Sequence, residues 1–472
     1  MAPLAWVALV PLLALTRRRR AGQAALLGLV FGVGFFGILI YWFSIVGWLA
    51  WALAVLLESS SIALFSAAWA ITSRRFGGSV SVPLAAALWV ASEYLRAHFP
   101  WGGFTWGELA QSQHNLPWML RSASIAGAWG TAFLIVAINC CVFFGLLSLV
   151  ENKVTATRFL IVAVLLIAVP LLVREPRLGG PRVRVAIVQG NVPRSFAGST
   201  LAKEQEIIQS HVDLTKELAS QHLDLVVWPE SSVGIDMRRD PAVAREVAGA
   251  ARSVSAPMIV GGNLVVDPAH YKVVAFLISR HGSITATYQK THLVPFGEYV
   301  PGRRFLSWIP ALKQIPEDAL PARSGRLFSV AGGRVAPVLS FEGDFGSLVR
   351  SRIAAGGRLL VVATNTSTWR STPASAQHVA LSQVRAAENG VWVVHAALSG
   401  ISAFIAPDGS VVQSTPLWTA TSLVQNLRFA SSTTLYTRLG DWLPILCLVA
   451  SVFALGLSVA SAPEPTNLST VV

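Results

Sequence analysis

The sequence predicts a two-part protein: a multi-span α-helical membrane domain joined to a layered α/β domain outside the cytoplasm. Three observations predict it. Of the 472 residues, 53% are hydrophobic and only 13% charged, against roughly 25% charged in ordinary soluble domains. From Ala21 to Ser73 the one charged residue is Glu58. From Val183 onward the long apolar runs give way to short β-branched runs alternating with helical ones.

A span needs roughly 20 apolar residues, so 21–73 holds two, at about 21–45 and 48–72. Further candidates lie at about 82–99, 122–150, 159–173 and 441–461. Residues 2–16 are apolar but short, and their positive charges follow the run instead of preceding it, unlike a signal peptide. They read as a first span or the remnant of one. The expected organisation is a transmembrane domain over 1–174 with about six spans, an α/β domain over 181–428, a C-terminal span at 441–461 and a tail at 462–472.

Basic residues set the orientation. Arg17–Arg20 mark the cytoplasmic face by the positive-inside rule. The chain then exits by about residue 46, returns at Arg74 and Arg75, exits near Pro100, returns at Lys153 and Arg158, and leaves near Val173. Every short basic loop falls on one face. The α/β domain is expected outside the cytoplasm, with the last span returning the tail, the layout of a multi-pass plasma-membrane protein. Arg174, Arg177 and Arg182 fall on the outer side, but large domains translocate largely regardless of charge. The net charge of +13 therefore belongs to loops beside spans. No basic stripe with interleaved aromatics marks a nucleic-acid surface.

Polar residues inside spans are expected to have partners or functions. Glu93 and Arg96 stand three apart and are expected to pair on one helix face. Glu58 and Asn139 are expected to make helix–helix hydrogen bonds. Asn467-Leu468-Ser469 matches a glycosylation signal, but on a cytoplasmic tail it is a chance match. Cys140, Cys141 and Cys447 all lie in apolar runs, with no disulfide framework, no CxxC and no zinc spacing. No metal or other cofactor is implied.

In the α/β domain, "VRVAIVQGN" reads as a buried strand, followed by a helix over 201–218. "LDLVVWPE" is a second strand, then come a helix over 242–253 and the strand "APMIVGGNLVV". "KVVAFLIS" and "ITATYQK" flank His281-Gly282 as a hairpin, and "RLFSVAGGRVAPVLSF" is expected to turn at Gly332-Gly333. A helix near 345–355, the strand "RLLVVATN" and a helix over 374–388 follow, the last stopped by Asn389-Gly390. "VWVVHAAL" and a hairpin at Pro407-Asp408-Gly409 complete a layered domain of about 250 residues. There is no GxGxxG after a strand, no Walker loop and no HExxH.

Three polar residues stand where strands end: Glu230 after "VVWP", Lys290 after "ITATYQ" and Ser340 after "VAPVL". Singly, a strand-end Glu or Lys is usually solvated and a Ser is usually a cap or turn residue. Together, "VVWPE", "YQKTHLVPFGEYVP" and a strand ending in nucleophile–aromatic–Glu resemble the nitrilase, or carbon–nitrogen hydrolase, superfamily. With membrane helices on both sides, the pattern is similar to the apolipoprotein N-acyltransferase family over nearly the whole chain. "VQGNVP" (188–193), "FPWGGFTWGELAQSQ" (99–113), "TNTSTW" (364–369), "QHVALSQVRAAENG" (377–390) and "SGISAFIAPDG" (399–409) carry it further.

The resemblance implies an αββα sandwich with a Glu–Lys–Cys triad, and an activity that moves an acyl chain from a phospholipid to the N-terminal amine of a diacylglyceryl-cysteine lipoprotein. Carried over by position, Glu230 is the general base, Lys290 the oxyanion stabiliser, and Ser340 takes the cysteine's place. Glu298 and Glu342 match two further acidic positions, and Phe341 and Trp369 are supporting residues. Acyl transfer needs such a set: a base for the nucleophile and the amine, and a cation for the developing charge.

The chain departs from the family at four points. Ser340 replaces cysteine, Phe341 stands where tyrosine is common, and "TNTSTW" lacks the aspartate of the usual "TNDAWF". Seven spans stand against the usual eight, leaving open an absent N-terminal one. Serine is far less acidic than a thiol of reference pKa near 8.5, so its proton must leave during attack. Three readings follow: an acyltransferase using Ser340, a lipid- and lipoprotein-binding pseudoenzyme, and a membrane-anchored amidase. Retention of Glu230, Lys290, Glu298 and Glu342 favours the first over the second, and the span layout disfavours the third.

Overall fold

The computed structural model describes residues 2–175, 178–193, 199–306, 308–309, 312–313 and 315–460. The expected tail at 462–472 with Asn467, and Arg177, lie outside the described residues. The chain forms two compact units: Met1–Gln113 with Ala128–Leu172 and the segment from Asp441 onward, and His114–Gly127 with Val173–Gly440. The unit boundary at Gly127 falls on a break in the helix Ala123–Ser148, where Ala126 and Gly127 leave helical geometry.

The first unit is helical. Five helices are long and apolar enough to cross a membrane, namely Ala21–Leu39, Trp48–Arg75, Ala123–Ser148, Lys153–Leu172 and Trp442–Ala460, and Ala2–Thr16 is a shorter apolar segment. Gly78–Arg96 is a further helix of 19 residues. Leu26, Ile38, Leu49, Val164 and Phe453 stand exposed on these helices, an outward apolar surface suited to lipid.

The polar residues find partners that local spacing does not show. Arg96 pairs with Glu58 at 3.0 Å, not with Glu93, and also donates to the carbonyls of Phe104 and Trp106. Glu93 instead accepts the Leu109 N–H at 2.9 Å. Asn139 accepts from the Leu9 N–H and donates to the Ala5 carbonyl, both at 2.8 Å. A buried charge must meet an opposite charge or several dipoles, and the loop after Arg96 supplies the dipoles.

The second unit is a four-layer α/β sandwich. Its first sheet contains β1 (Arg182–Gln189), β2 (Leu225–Val227), β3 (Met258–Asp267), β4 (His270–Ile278), β5 (Ile284–Gln289) and the short β6 (Asp318–Ala319). The second contains β7 (Phe328–Val330), β8 (Gly333–Leu339), β9 (Leu359–Thr364), β10 (Val393–Ala397), β11 (Ala403–Ile405) and β12 (Val411–Ser414). The terminal β13 (Thr421–Arg428) returns to the first sheet, antiparallel to β1. The strand orders are β13-β1-β2-β3-β4-β5, with β6 on β4, and β12-β11-β10-β9-β8-β7.

Side-chain alternation explains the layering. Val185 and Ile187 of β1 join Leu359 and Val361 of β9 in a core between the sheets. Their neighbours Ala186 and Val188 face outward under helices α1 (Thr200–Glu217) and α2 (Pro241–Val254). Leu360 and Val362 likewise face helices α3 (Gly346–Ala354) and α4 (Ala374–Asn389). Gly390 caps α4 with φ +64°, in the left-handed geometry that glycine tolerates. The four helices expected in this domain stand within one residue of their expected bounds. Unforeseen were β13, the β6 pairing, and the tight antiparallel pairing of β3 with β4. The turn between β7 and β8 falls at Ala331-Gly332, one residue before the expected pair.

Candidate active site

The three strand-end residues are delivered by β2, β5 and β8. Glu230 follows β2 behind Trp228, which is fully buried. Gly261 on the adjacent β3 makes this approach possible: a Cβ there would lie 2.2 Å from the Pro229 carbonyl oxygen and 2.6 Å from Glu230 Cα. Lys290 continues β5, its N–H donating to the Val273 carbonyl at 2.9 Å. Ser340 directly follows β8 and opens the next turn at φ +46°. A serine pays for that left-handed geometry, and the sharp elbow turns its side chain off the strand, as nucleophile elbows do.

Lys290 is completely buried, and its ammonium donates to Glu230 Oε1 at 3.0 Å and Glu298 Oε1 at 2.5 Å. Glu298 is held in turn by the Val294 N–H at 2.9 Å. Burial alone would pull the Lys290 ammonium down. The carboxylates of Glu230 and Glu298 more than reverse this and hold its pKa above the ordinary lysine value. Burial raises Glu230 above the usual carboxylate range; Lys290 pulls it back, while Glu298 and Glu342 push it higher. The cluster thus combines a permanently charged cation with a strengthened base, the pairing that acyl transfer requires.

Glu342 does not point at Lys290's ammonium. Its Oε1 accepts from the Thr291 N–H (2.7 Å), the Thr291 hydroxyl (2.6 Å) and the His292 N–H (3.2 Å). Its Oε2 accepts from the Tyr288 hydroxyl (2.7 Å) and the Leu339 N–H (2.9 Å). It therefore ties the chain beside Lys290, in one sheet, to the chain beside Ser340, in the other. Phe341 packs edge-on against Phe345, and both rings meet His292. Trp369 is half-buried in the turn after β9, and its carbonyl accepts from the Thr372 hydroxyl; it stands five residues beyond the strand end that faces Ser340.

Sequence reasoning missed four groups. Thr364 ends β9, whose parallel register pairs Leu339 with Ala363, and its hydroxyl donates to Ser340 Oγ at 3.1 Å. His378 and Asp344 lie behind it, with His378 Nε2 3.0 Å from Asp344 Oδ1. Tyr288 serves Glu342 as described. Thr364 and His378 stand inside two of the motifs quoted above, so the signal was present; its meaning depends on pairing between strands.

Among the described residues no group of histidine, cysteine or acidic side chains could hold a metal ion. The fold and site define a membrane protein with a domain of the carbon–nitrogen hydrolase family: residues 184–435 match that family. Residues 1–141 match the apolipoprotein N-acyltransferase N-terminal domain. A protein of Geobacter metallireducens named apolipoprotein N-acyltransferase is 30% identical, covering 97% of this chain and 91% of its own. One of Gloeobacter violaceus with the same name is 28% identical, covering 98% and 90%. An amidase structure from Nesterenkonia sp. is 20% identical, covering 53% of this chain and 92% of its own, with a TM-score of 0.42. The chain belongs to the apolipoprotein N-acyltransferase family and is an acyltransferase.

Proposed function

We propose that this chain transfers a fatty acyl group from a phospholipid to the N-terminal amine of diacylglyceryl-cysteine lipoproteins, with Ser340 as the nucleophile. The observation that carries the reading is the buried Lys290 held between Glu230 and Glu298, a site equipped for turnover. In the first half-reaction Ser340 Oγ attacks the ester carbonyl of the phospholipid while Glu230 takes its proton. Lys290 stabilises the tetrahedral oxyanion. The C–O bond to the glycerol breaks, and the leaving oxygen takes the proton from Glu230 to give a lysophospholipid. In the second, the lipoprotein amine attacks the acyl-serine, loses a proton to Glu230, and Ser340 Oγ departs with it. The result is an amide and a restored enzyme.

The sandwich faces outside the cytoplasm, where lipoprotein N-termini await this step. Arg17–Arg20, Arg74, Arg75, Lys153 and Arg158 on one set of loops support that orientation. The N-terminal match over residues 1–141 favours acyl transfer over a membrane-anchored amidase, which would need no lipid-handling half.

The test expresses the chain in cells lacking their own enzyme and weighs lipoprotein N-termini by mass spectrometry. Triacyl forms are expected from wild type and from Ser340→Cys, and diacyl forms from Ser340→Ala. Diacyl forms from wild type beside triacyl forms from Ser340→Cys would overturn the serine chemistry. Triacyl forms from Ser340→Ala would remove Ser340 from the mechanism.

A further inference from the structure

Serine must acquire its negative charge during attack, whereas a family cysteine can carry it beforehand as a thiolate, because oxygen holds its proton far more tightly. The structure surrounds Ser340 Oγ with a second set of polar groups beyond the Glu230–Lys290–Glu298 cluster. Thr364 Oγ1 donates to Ser340 Oγ at 3.1 Å. The same oxygen lies 3.4 Å from His378 Nδ1, and His378 Nε2 lies 3.0 Å from Asp344 Oδ1. Thr364, His378 and Asp344 are all buried. Their elements fix them: Thr364 closes β9, Asp344 closes the turn that begins at Ser340, and His378 lies on the first turns of α4. Arg385 of the same helix donates to the Asp344 carbonyl at 2.9 Å, holding that turn in place.

Proton counting fixes the direction of this chain. A threonine hydroxyl has one proton, and it is committed to Ser340. Toward His378, Thr364 Oγ1 can therefore only accept, so Nδ1 carries a proton. The other ring nitrogen stands 3.0 Å from Asp344 Oδ1, so the carboxylate faces the imidazole from behind. The contacts from His378 Nδ1 to Thr364 and from Thr364 to Ser340 then both point toward Ser340, and the serine's own proton stays free to leave.

We propose that Asp344, His378 and Thr364 form a donor arm that stabilises the developing negative charge on Ser340 Oγ during acyl-enzyme formation. Resting on the reading of Ser340 as nucleophile, the arm adds nothing to the atom balance. The Oγ–acyl bond forms, the phospholipid's ester C–O bond breaks, and the proton still passes through Glu230. Thr364 contacts the reacting oxygen; His378 and Asp344 are positioning residues that lock Thr364 as donor. A chain of such donors polarises each successive bond, and a hydrogen bond to a charged group is worth more than one to a neutral group. A thiolate, already formed at lower cost, has less need of the arm.

The full-length chain is reconstituted in vesicles of phosphatidylethanolamine and phosphatidylglycerol without acceptor. Acyl-enzyme formation is then followed by intact mass, with the label mapped by peptide analysis. Thr364→Val is expected to slow acylation of Ser340 about ten- to a hundredfold, and His378→Phe about tenfold. Thr364→Ser, which keeps the hydroxyl, is expected to stay within about threefold of wild type. The same Thr364→Val change in a Ser340→Cys chain is expected to cost less than about threefold. That contrast separates a donor from a merely structural residue. Equal slowing in both backgrounds, or none in either, overturns the donor arm while leaving Ser340 as nucleophile. Absence of acyl label on Ser340 in wild type overturns the nucleophile reading and the arm with it.

Discussion

The Glu342 carboxylate accepts the Thr291 N–H at 2.7 Å, and through this contact the two sheets hold their strand ends in register. Thr291 follows Lys290, and the Leu339 N–H that Glu342 also accepts precedes Ser340. Lys290 and Ser340 are thus tied, through the chain beside each, by one buried carboxylate. Arg352 supports the same junction by donating to the Thr291 hydroxyl at 3.0 Å.

Glu342→Gln keeps the shape but turns an acceptor into an amide donor facing N–H and O–H groups. N-acylation is expected to fall by about a hundredfold or more, with a stability loss on the order of 1–3 kcal/mol. Mass analysis of lipoprotein N-termini and thermal unfolding of the membrane-solubilised chain check the two effects. Unchanged activity would show that the tie between the sheets is dispensable.

Lys290→Met leaves Glu230 and Glu298 buried without their cation. Breaking a buried pair this way costs on the order of 3–5 kcal/mol. Adding Glu298→Gln removes one orphaned charge and is expected to recover part of that loss. Neither variant is expected to N-acylate, so stability and activity separate in this pair. Denaturant unfolding beside the lipoprotein assay reads both.

The pH profile carries the electrostatics of the cluster. The proposed base Glu230 can act only when ionised, and its pKa is raised by burial first, with Glu298 pushing it further. The acidic limb of the pH–rate profile is therefore expected above the ordinary carboxylate range. Glu298→Gln removes one like charge, so the limb is expected to move to lower pH. Movement to higher pH would contradict this assignment of the base.

His211 of α1 accepts the Gly190 N–H at Nε2 and meets the Ile207 carbonyl at Nδ1. Burial holds its pKa down at about 4, whereas the unfolded chain binds a proton near 6.5. Its folded-state pKa is depressed, so its contribution is present above pH 6.5 and lost as pH falls toward 4. The loss amounts to about 3 kcal/mol. The stability gap between wild type and His211→Gln is expected to narrow over that window. Thermal unfolding at pH 7 and at pH 4.5 measures it.

Gly261→Ala tests the approach of β3 to Glu230. The added Cβ meets backbone at 2.2 and 2.6 Å, contacts that a main chain relieves only by moving. Activity is expected to fall at least about tenfold, with a destabilisation of about 1–3 kcal/mol. Full activity would mean that Glu230 tolerates displacement.

Local pattern was enough to place much of this protein. Apolar length set the membrane helices, and period-two burial with helical runs set the sandwich. Glu230, Lys290 and Ser340 were legible because strand ends are written in short, contiguous stretches. Partners distant in the chain were not. The sequence placed Arg96 near Glu93, three residues away, but the fold pairs it with Glu58, 38 residues away. Glu342 was picked out by motif position, yet its bonds run to backbone N–H groups and hydroxyls that local patterning does not orient. Thr364, His378 and Asp344 converge on Ser340 only because β9 lies parallel to β8 and α4 covers both. The sequence by itself determined which residues stand at the strand ends, since burial and turn chemistry are local. Only the tertiary structure decided which of them share protons, since that follows from register and packing between residues as far as 60 apart in the chain.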